Sequence, residues 1–146
     1  VNLRLGVVMT PLGGALAQML TPFRVGLGGP LGPGTQFVSW VSLDDVLAAV
    51  LHCIARDGLE GPVNAVSPLP VTNAELTYAL GAVLHRPTLL RVPAVALRAL
   101  LGEMADELLL ASTRTVPQRL METGFVFRKP LLREALADML GHGPVP

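Results

Sequence analysis

The hydrophobic pattern opens on Val1-Asn2-Leu3-Arg4-Leu5-Gly6-Val7-Val8-Met9, an aliphatic run with almost no polar face. It predicts a parallel strand, since strands covered on both faces lose the apolar/polar alternation. Such a strand needs neighbours on each side, and none precedes it. Residue 1 is therefore expected to lie inside a larger sheet.

Thr10 to Gly14 reads as a loop and Ala15 to Phe23 as a short apolar helix ending near Pro22. Residues 26–34 hold five glycines and two prolines, which predicts irregular backbone with positive φ at some glycines. With so few side chains, this stretch could wrap a ligand closely. It could equally be a plain surface loop. Gln36 to Val41 is strand-like. Ser42 follows as a helix N-cap, with Asp45 in the capping-box position and Asp44 beside it at the positive helix end. The apolar face of that helix is Val46, Ala49, Val50, Cys53 and Ile54, and Gly58 and Gly61 stop it.

Pro62 to Val66 is a further short strand, and Thr72-Asn73-Ala74-Glu75 is a second capping box. Its helix carries Leu76, Ala79, Leu80, Val83 and Leu84 and ends before Pro87. Leu89 to Pro93 is extended, a helical stretch runs from Pro93 to Leu100, and helix resumes from Glu103 to Leu110 beyond a break at Gly102. A short helix starts at Pro117 and ends at Gly124. Phe125-Val126-Phe127-Arg128 alternates like a strand, and the last helix runs from Pro130 to Leu140. The predicted organisation is α/β over residues 1–70, a mainly helical cap over 71–140 and a frayed tail over 141–146.

Composition narrows the chemistry. Hydrophobic residues make up 51% of the 146 and charged residues 15%, against a usual charged share of about a quarter. The chain is short of solvated surface, which points to surface hidden against something else. A formal net charge of zero argues against nucleic acid as a partner, because such binders need a basic stripe. It also argues against a polybasic membrane tether. No uninterrupted apolar run reaches the roughly 18 residues that mark a membrane-spanning helix, so no membrane partner is expected. The single Cys53 allows no internal disulfide and no cysteine-based metal site. A cytoplasmic setting is the expectation. His52, His85 and His142 show no ligand spacing, so no metal site is assigned. Glu103, Asp106 and Glu107 read as a solvated face, and Leu108-Leu109-Leu110 as core.

The order of Trp40-Val41-Ser42-Leu43-Asp44-Asp45-Val46, Gly61-Pro62-Val63-Asn64, Val71-Thr72-Asn73-Ala74-Glu75, His85-Arg86-Pro87, Val92-Pro93 and Gly102-Glu103-Met104-Ala105-Asp106-Glu107-Leu108 resembles a known arrangement. It is similar to the C-terminal half of the extended short-chain dehydrogenase/reductase family, among the NAD-dependent epimerase/dehydratase-like proteins of undefined substrate. The last region resembles the small domain of unknown function that closes them. The resemblance covers nearly the whole chain. It implies an α/β fold: the closing strands and helices of a Rossmann-like parallel sheet plus a mainly helical substrate region, with the N-terminal half absent.

That family is implied to work with a Ser/Thr, a Tyr-x-x-x-Lys pair and an N-terminal glycine-rich phosphate loop on NADP or NAD. None of these motifs is here. The only tyrosine is Tyr78, and Ala82 stands four residues on; packing is its simpler role, and no catalytic residue is assigned. Residues 28–32 do not follow a strand and open a helix, so they are not the dinucleotide loop. By resemblance the first strand borders the nicotinamide end of the cofactor. Arg4 is then the candidate cofactor contact, with a structural ion pair as the alternative. Phe37, Trp40 and the 26–34 loop lie where relatives shape the substrate pocket, with ordinary core as the alternative for the aromatics. Nucleotide-sugar epimerases often carry Arg-Asp before their aromatic-Ile-His-Val-Asp-Asp pattern. Aligned on Trp40, those positions are Val38 and Ser39, and Ser42 replaces the histidine. Valine cannot bind a diphosphate, which puts a nucleotide sugar in doubt.

Two functions of different class follow. One is the substrate-side part of an NAD(P)-dependent epimerase or oxidoreductase acting on a small molecule, inactive alone and partnered by the missing N-terminal half, with no tight cofactor binding of its own. The other is a stand-alone, non-catalytic module that self-associates through its sheet edge and apolar face.

Overall fold

A computed structural model describes residues 1–103 and 112–141. The opening run forms β1 (Asn2–Leu5) and β2 (Val7–Met9), interrupted only at Gly6. β1 pairs in parallel with β5 (Pro62–Ala65), Asn2 opposite Pro62 and Leu5 opposite Ala65. β2 pairs in parallel with β4 (Trp40–Ser42), Val7 opposite Trp40 and Met9 opposite Ser42. The handover is abrupt: the Gly6 amide donates to Ala65 O at 3.3 Å and the next amide, Val7, to Ser39 O at 2.8 Å. A Cβ on residue 6 would stand 2.4 Å from Ser39 O, so only glycine fits where three chain segments meet.

The predicted single strand over Gln36 to Val41 is two strands, β3 (Phe37–Val38) and β4. β3 pairs antiparallel with β6 (Val71–Thr72), and Ser39 is the joint. The Ser39 hydroxyl donates to Thr113 O at 2.8 Å and accepts from Thr115 N at 2.9 Å. Phe37 O accepts from Thr113 N and Phe37 N donates to Ser112 Oγ. Residues 112–115 thus lie along the outer edge of this segment.

Both capped helices form as expected. Helix α2 (Leu43–Ala55) starts at Ser42, whose Oγ accepts from Asp45 N at 3.1 Å. Helix α3 (Asn73–Leu84) starts at Thr72 with both bonds of the capping box: Glu75 N to Thr72 Oγ1 at 3.2 Å and Thr72 N to Glu75 Oε2 at 2.8 Å. The buried face of α2 differs from the expected stripe. Asp45, Val46 and Ala49 face inward, while Val50 and Ile54 are exposed beside Leu47 and Leu51. A fourth apolar side widens the pattern, so spacing alone did not pick the inner face.

Helix α1 (Gly14–Arg24) runs past Pro22 for two residues. At the last turn a missing N–H costs one bond and leaves the preceding helix intact. Helix α4 (Ala94–Leu101) stops at Gly102, φ 62°, and α5 (Gln118–Glu122) follows Pro117. The chain finishes with α6 (Leu132–Met139). Phe125 to Arg128 forms no ladder. Its alternation is real, because Phe125 and Phe127 pack inward and Val126 is exposed, but its amides go elsewhere. The expectations for Asp106, Glu107 and Leu108 to Leu110 fall outside the described residues.

Among the described residues two apolar cores result. The larger joins Met9, Trp40, α1 (Leu16, Leu20, Phe23), α3 (Leu76, Leu80, Val83) and α6 (Leu132, Leu136). It spans both sides of residue 70. The smaller holds Ala49, Leu59, Val63, Ala65 and Leu120, with Phe125 and Phe127 against it. The first strand is parallel as predicted, yet Leu5 is 51% exposed and Val1 and Val7 are also open.

Candidate functional site

A cavity of about 310 Å³ sits beside the C-terminal end of β2. Its walls come from β2 (Val7, Met9), α1 (Ala15, Met19, Pro22, Phe23), the glycine-rich loop (Leu27, Gly28, Gly29, Leu31), Val38 of β3, the first turns of α3 (Asn73, Leu76, Thr77) and Val92, with Gln18 exposed at one side. The volume is at the low end of the roughly 300–1,000 Å³ typical of small-molecule sites.

The loop is a built wall. Val92 N donates to Pro30 O at 3.0 Å and Gly32 N to Val92 O at 2.7 Å. Leu31 N donates to Asn73 Oδ1 at 2.7 Å, and Gln36 Nε2 to Leu31 O at 3.0 Å. The leading amides of α3 close the set, Asn73 N to Gln36 O and Ala74 N to Gly34 O. Gly29 is forced: a Cβ there would lie 1.5 Å from Leu90 O.

Among the described residues no Asp, Glu, Lys or Arg lines the cavity. Three nearby arginines each make a contact outside the cavity. Arg91 donates to Gly32 O and Pro33 O, Arg86 to Arg24 O, and Arg114 lies over the Phe37 ring at 5.0 Å. Thr77 is 1% exposed, and its hydroxyl has no hydrogen-bond partner. An unpaired buried hydroxyl is costly, and this one is closed off from the cavity as well as from solvent.

The sequence-predicted residues separate. The 26–34 loop lines the cavity. Phe37 and Trp40 do not: strand alternation turns Phe37 toward Arg114, and Val38, between them, faces the space. Trp40 is fully buried in the larger core, with Nε1 donating to Leu69 O at 3.0 Å. Arg4 is exposed on β1 opposite Asn64 and lines neither this cavity nor the one below. Tyr78 is half exposed on α3 and does not line the cavity. Sequence reasoning did not find Thr77; a lone hydroxyl within the apolar positions of α3 was its only mark.

A second hollow of about 270 Å³ lies past Met9, among Thr10, Pro11, Leu12, Asp44, Lys129 and Asp138. Lys129 Nζ pairs there with Asp138 Oδ2 at 3.1 Å. Beneath it Asp45 is buried, accepting from Ser42 Oγ, Arg128 N and Lys129 N. Its role is structural, joining the start of α2 to the segment before α6. His52 meets Thr123 Oγ1 at 2.9 Å and sets its ring edge against Phe125. Among the described residues no three His, Cys, Asp or Glu side chains gather as a metal set, and no helix is long and apolar enough to cross a membrane.

Residues 92–139 match a family described as a domain of unknown function, DUF1731. An epimerase family protein of Mycobacterium bovis is 50% identical over 133 residues, covering 91% of this chain and 44% of that protein. The mouse epimerase family protein SDR39U1 is 42% identical over 141 residues, covering 96% of this chain and 48% of its own length. The chain thus spans about half the length of these relatives. Among solved structures, human SDR39U1 with NADPH superposes with a TM-score of 0.90 at 35% identity, over 95% of this chain and 47% of that one. A nucleoside-diphosphate sugar epimerase from Corynebacterium glutamicum gives 0.73 at 33% identity, over 95% of this chain and 25% of that one. The parallel β1 and β2, the loop wall and the capped α2 and α3 therefore have a counterpart. The chain belongs, as the C-terminal part with its closing domain of unknown function, to the epimerase family of extended short-chain dehydrogenase/reductase proteins.

Proposed function

We propose that this chain is the substrate-side part of an NAD(P)-dependent epimerase or oxidoreductase that works in the cytoplasm. The carrying observation is the loop-walled cavity at the end of β2, in a fold that matches an NADPH-bound relative over nearly all of this chain. In this reading the cavity holds a small-molecule substrate, and the preceding half supplies the cofactor site and the Tyr-x-x-x-Lys pair. The residues here do not fit a dinucleotide by themselves. The cavity is too small for a dinucleotide, no described residue lining it is a cation for a pyrophosphate, and Arg4 offers one exposed charge. Arg4 would add a contact only once the cofactor is held elsewhere. The chain alone is accordingly inactive, and its natural partner is that other half, seated on the exposed Val1, Leu5 and Val7.

A second reading, a self-associating module, has support from α2, where Leu47, Leu51 and Ile54 form an exposed apolar stripe. The test is to mix the purified chain with the cofactor-binding half of the Mycobacterium relative. A one-to-one complex that binds NADP, while the chain alone neither binds nor oxidises the cofactor, is the expected result. A chain that forms a stable homodimer and ignores that half would favour the second reading.

A further inference from the structure

Resting on the reading of the cavity as the substrate pocket, we infer that the Asn73 carboxamide orients the ligand there, its Nδ2 donating to an acceptor oxygen such as that of a ketone, ester or amide. Small-molecule pockets fix orientation with a few placed polar groups set in mostly apolar walls. Among the described residues lining this cavity, the side chains that carry such groups are Gln18, Asn73 and Thr77. Gln18 is exposed at one side and can turn to water. The Thr77 oxygen is sealed. Asn73 is 4% exposed, yet its Nδ2 makes no hydrogen bond to a described residue and, unlike the Thr77 oxygen, is not sealed. An open, unspent donor on so buried a side chain is unusual, because buried polar groups are nearly always bonded.

The donor is held in place. Asn73 Oδ1 accepts from Leu31 N at 2.7 Å. Only the oxygen of a carboxamide can accept, so this bond fixes which branch is Nδ2. Leu31 is held in turn by its carbonyl, which accepts from Gln36 Nε2 at 3.0 Å, and Asn73 N donates to Gln36 O at 2.8 Å. Asn73 thus ties the loop with one atom of its carboxamide and offers the other to the cavity. An NH2 group only donates. The ligand atom that matches it is a lone-pair oxygen, and a ligand ammonium group at that point is disfavoured. A carbonyl bound there also polarises the carboxamide that accepts from Leu31, which strengthens the hold on the loop.

The experiment titrates the ¹⁵N-labelled chain with three probes: 1-tetralone, which only accepts, 1-tetralol, which accepts and donates, and tetralin, which does neither. Amides of Gly29, Leu31, Val38 and Thr77 report on the cavity. Expected is saturable shifting by 1-tetralone, about tenfold tighter than by tetralin, the worth of one ordinary hydrogen bond, with 1-tetralol close to the ketone. Asn73→Asp keeps an acceptor for Leu31 N and removes the donor. In that variant 1-tetralone should fall to the level of tetralin or below, while 1-tetralol, which can donate to the carboxylate, should outrank the ketone. A merely structural role would weaken all three probes together and leave their order unchanged. Equal affinity of 1-tetralone and tetralin for the unmodified chain, with the cavity amides shifting, would overturn the inference and leave the pocket reading standing. An unchanged ketone preference in Asn73→Asp would also overturn it. Silence of the cavity amides to all three probes would remove both the inference and the pocket reading.

Discussion

The carboxylate of Asp45 holds the backbone of Lys129: Oδ2 accepts that amide at 3.0 Å, across 84 residues of sequence. Oδ1 accepts the neighbouring Arg128 amide at 2.8 Å. The side chain is 1% exposed, and the Ser42 hydroxyl donates to it as well. One residue at the start of α2 thereby satisfies two amides of a segment that has no ladder.

Asp45→Ala should lower stability by about 2 kcal/mol, because it leaves two part-buried amides unpaired, each at the low end of roughly 1–3 kcal/mol. Denaturant unfolding measures this. Asp45→Asn, which keeps one acceptor oxygen, should cost less. A loss below about 0.5 kcal/mol for the alanine variant, the range of ordinary surface substitutions, would mean that the segment does not depend on the carboxylate.

Ser42→Ala and Thr72→Ala should each cost about 1 kcal/mol, the usual worth of an N-cap. The Thr72 effect should halve in a Glu75→Ala background, since Glu75 returns the second bond of the box. Strictly additive losses in the double variant would show that the two bonds form independently.

Gly29→Ala should disrupt the cavity wall. Its methyl has no room against Leu90 O, and overpacking typically costs about 1–3 kcal/mol. Chemical-shift changes should spread from residues 29–32 to Val92, which is bonded to them. Gly58→Ala is the control: its φ of 83° is strained, but nothing crowds it, so its changes should remain local.

Burial pushes the Cys53 thiol above its ordinary value. The folded state then holds the thiol proton more tightly than the unfolded chain. This contribution is full below the unfolded thiol range and is lost as pH rises through the folded value. Alkylation by iodoacetamide near pH 8 should be slower in the folded chain than in urea, and Cys53→Ala should soften the alkaline loss of stability. Equal alkylation rates in both states would contradict this.

Local grammar was readable. Ser42 and Thr72 each carry their partner three residues on, so the caps needed no tertiary knowledge. The aliphatic opening gave a parallel strand for a similar reason. What could not be read depends on distant pairings. Asp45 reads as a capping acid until Arg128 and Lys129 arrive, and Ser39 reads as mid-strand until Thr113 and Thr115 bond to it. Phe125 and Phe127 alternate correctly, but alternation does not say whether a neighbouring strand exists. At the candidate site the loop was visible through its glycines. Thr77 was not, because an unpaired hydroxyl is defined by what surrounds it.

The handover at Gly6 sets unequal tolerances to length change. The long connection between β2 and β3 can gain or lose residues at its exposed turns, since loop length is a weak constraint. The strand cannot. One residue inserted beside Gly6 would leave β1 registered on β5 and turn every side chain of β2 to the opposite face. Met9 would leave the core, and Val7 would leave the cavity wall. Descendants of this chain should therefore vary in length around residues 10–14 and keep a constant count from Asn2 to Met9.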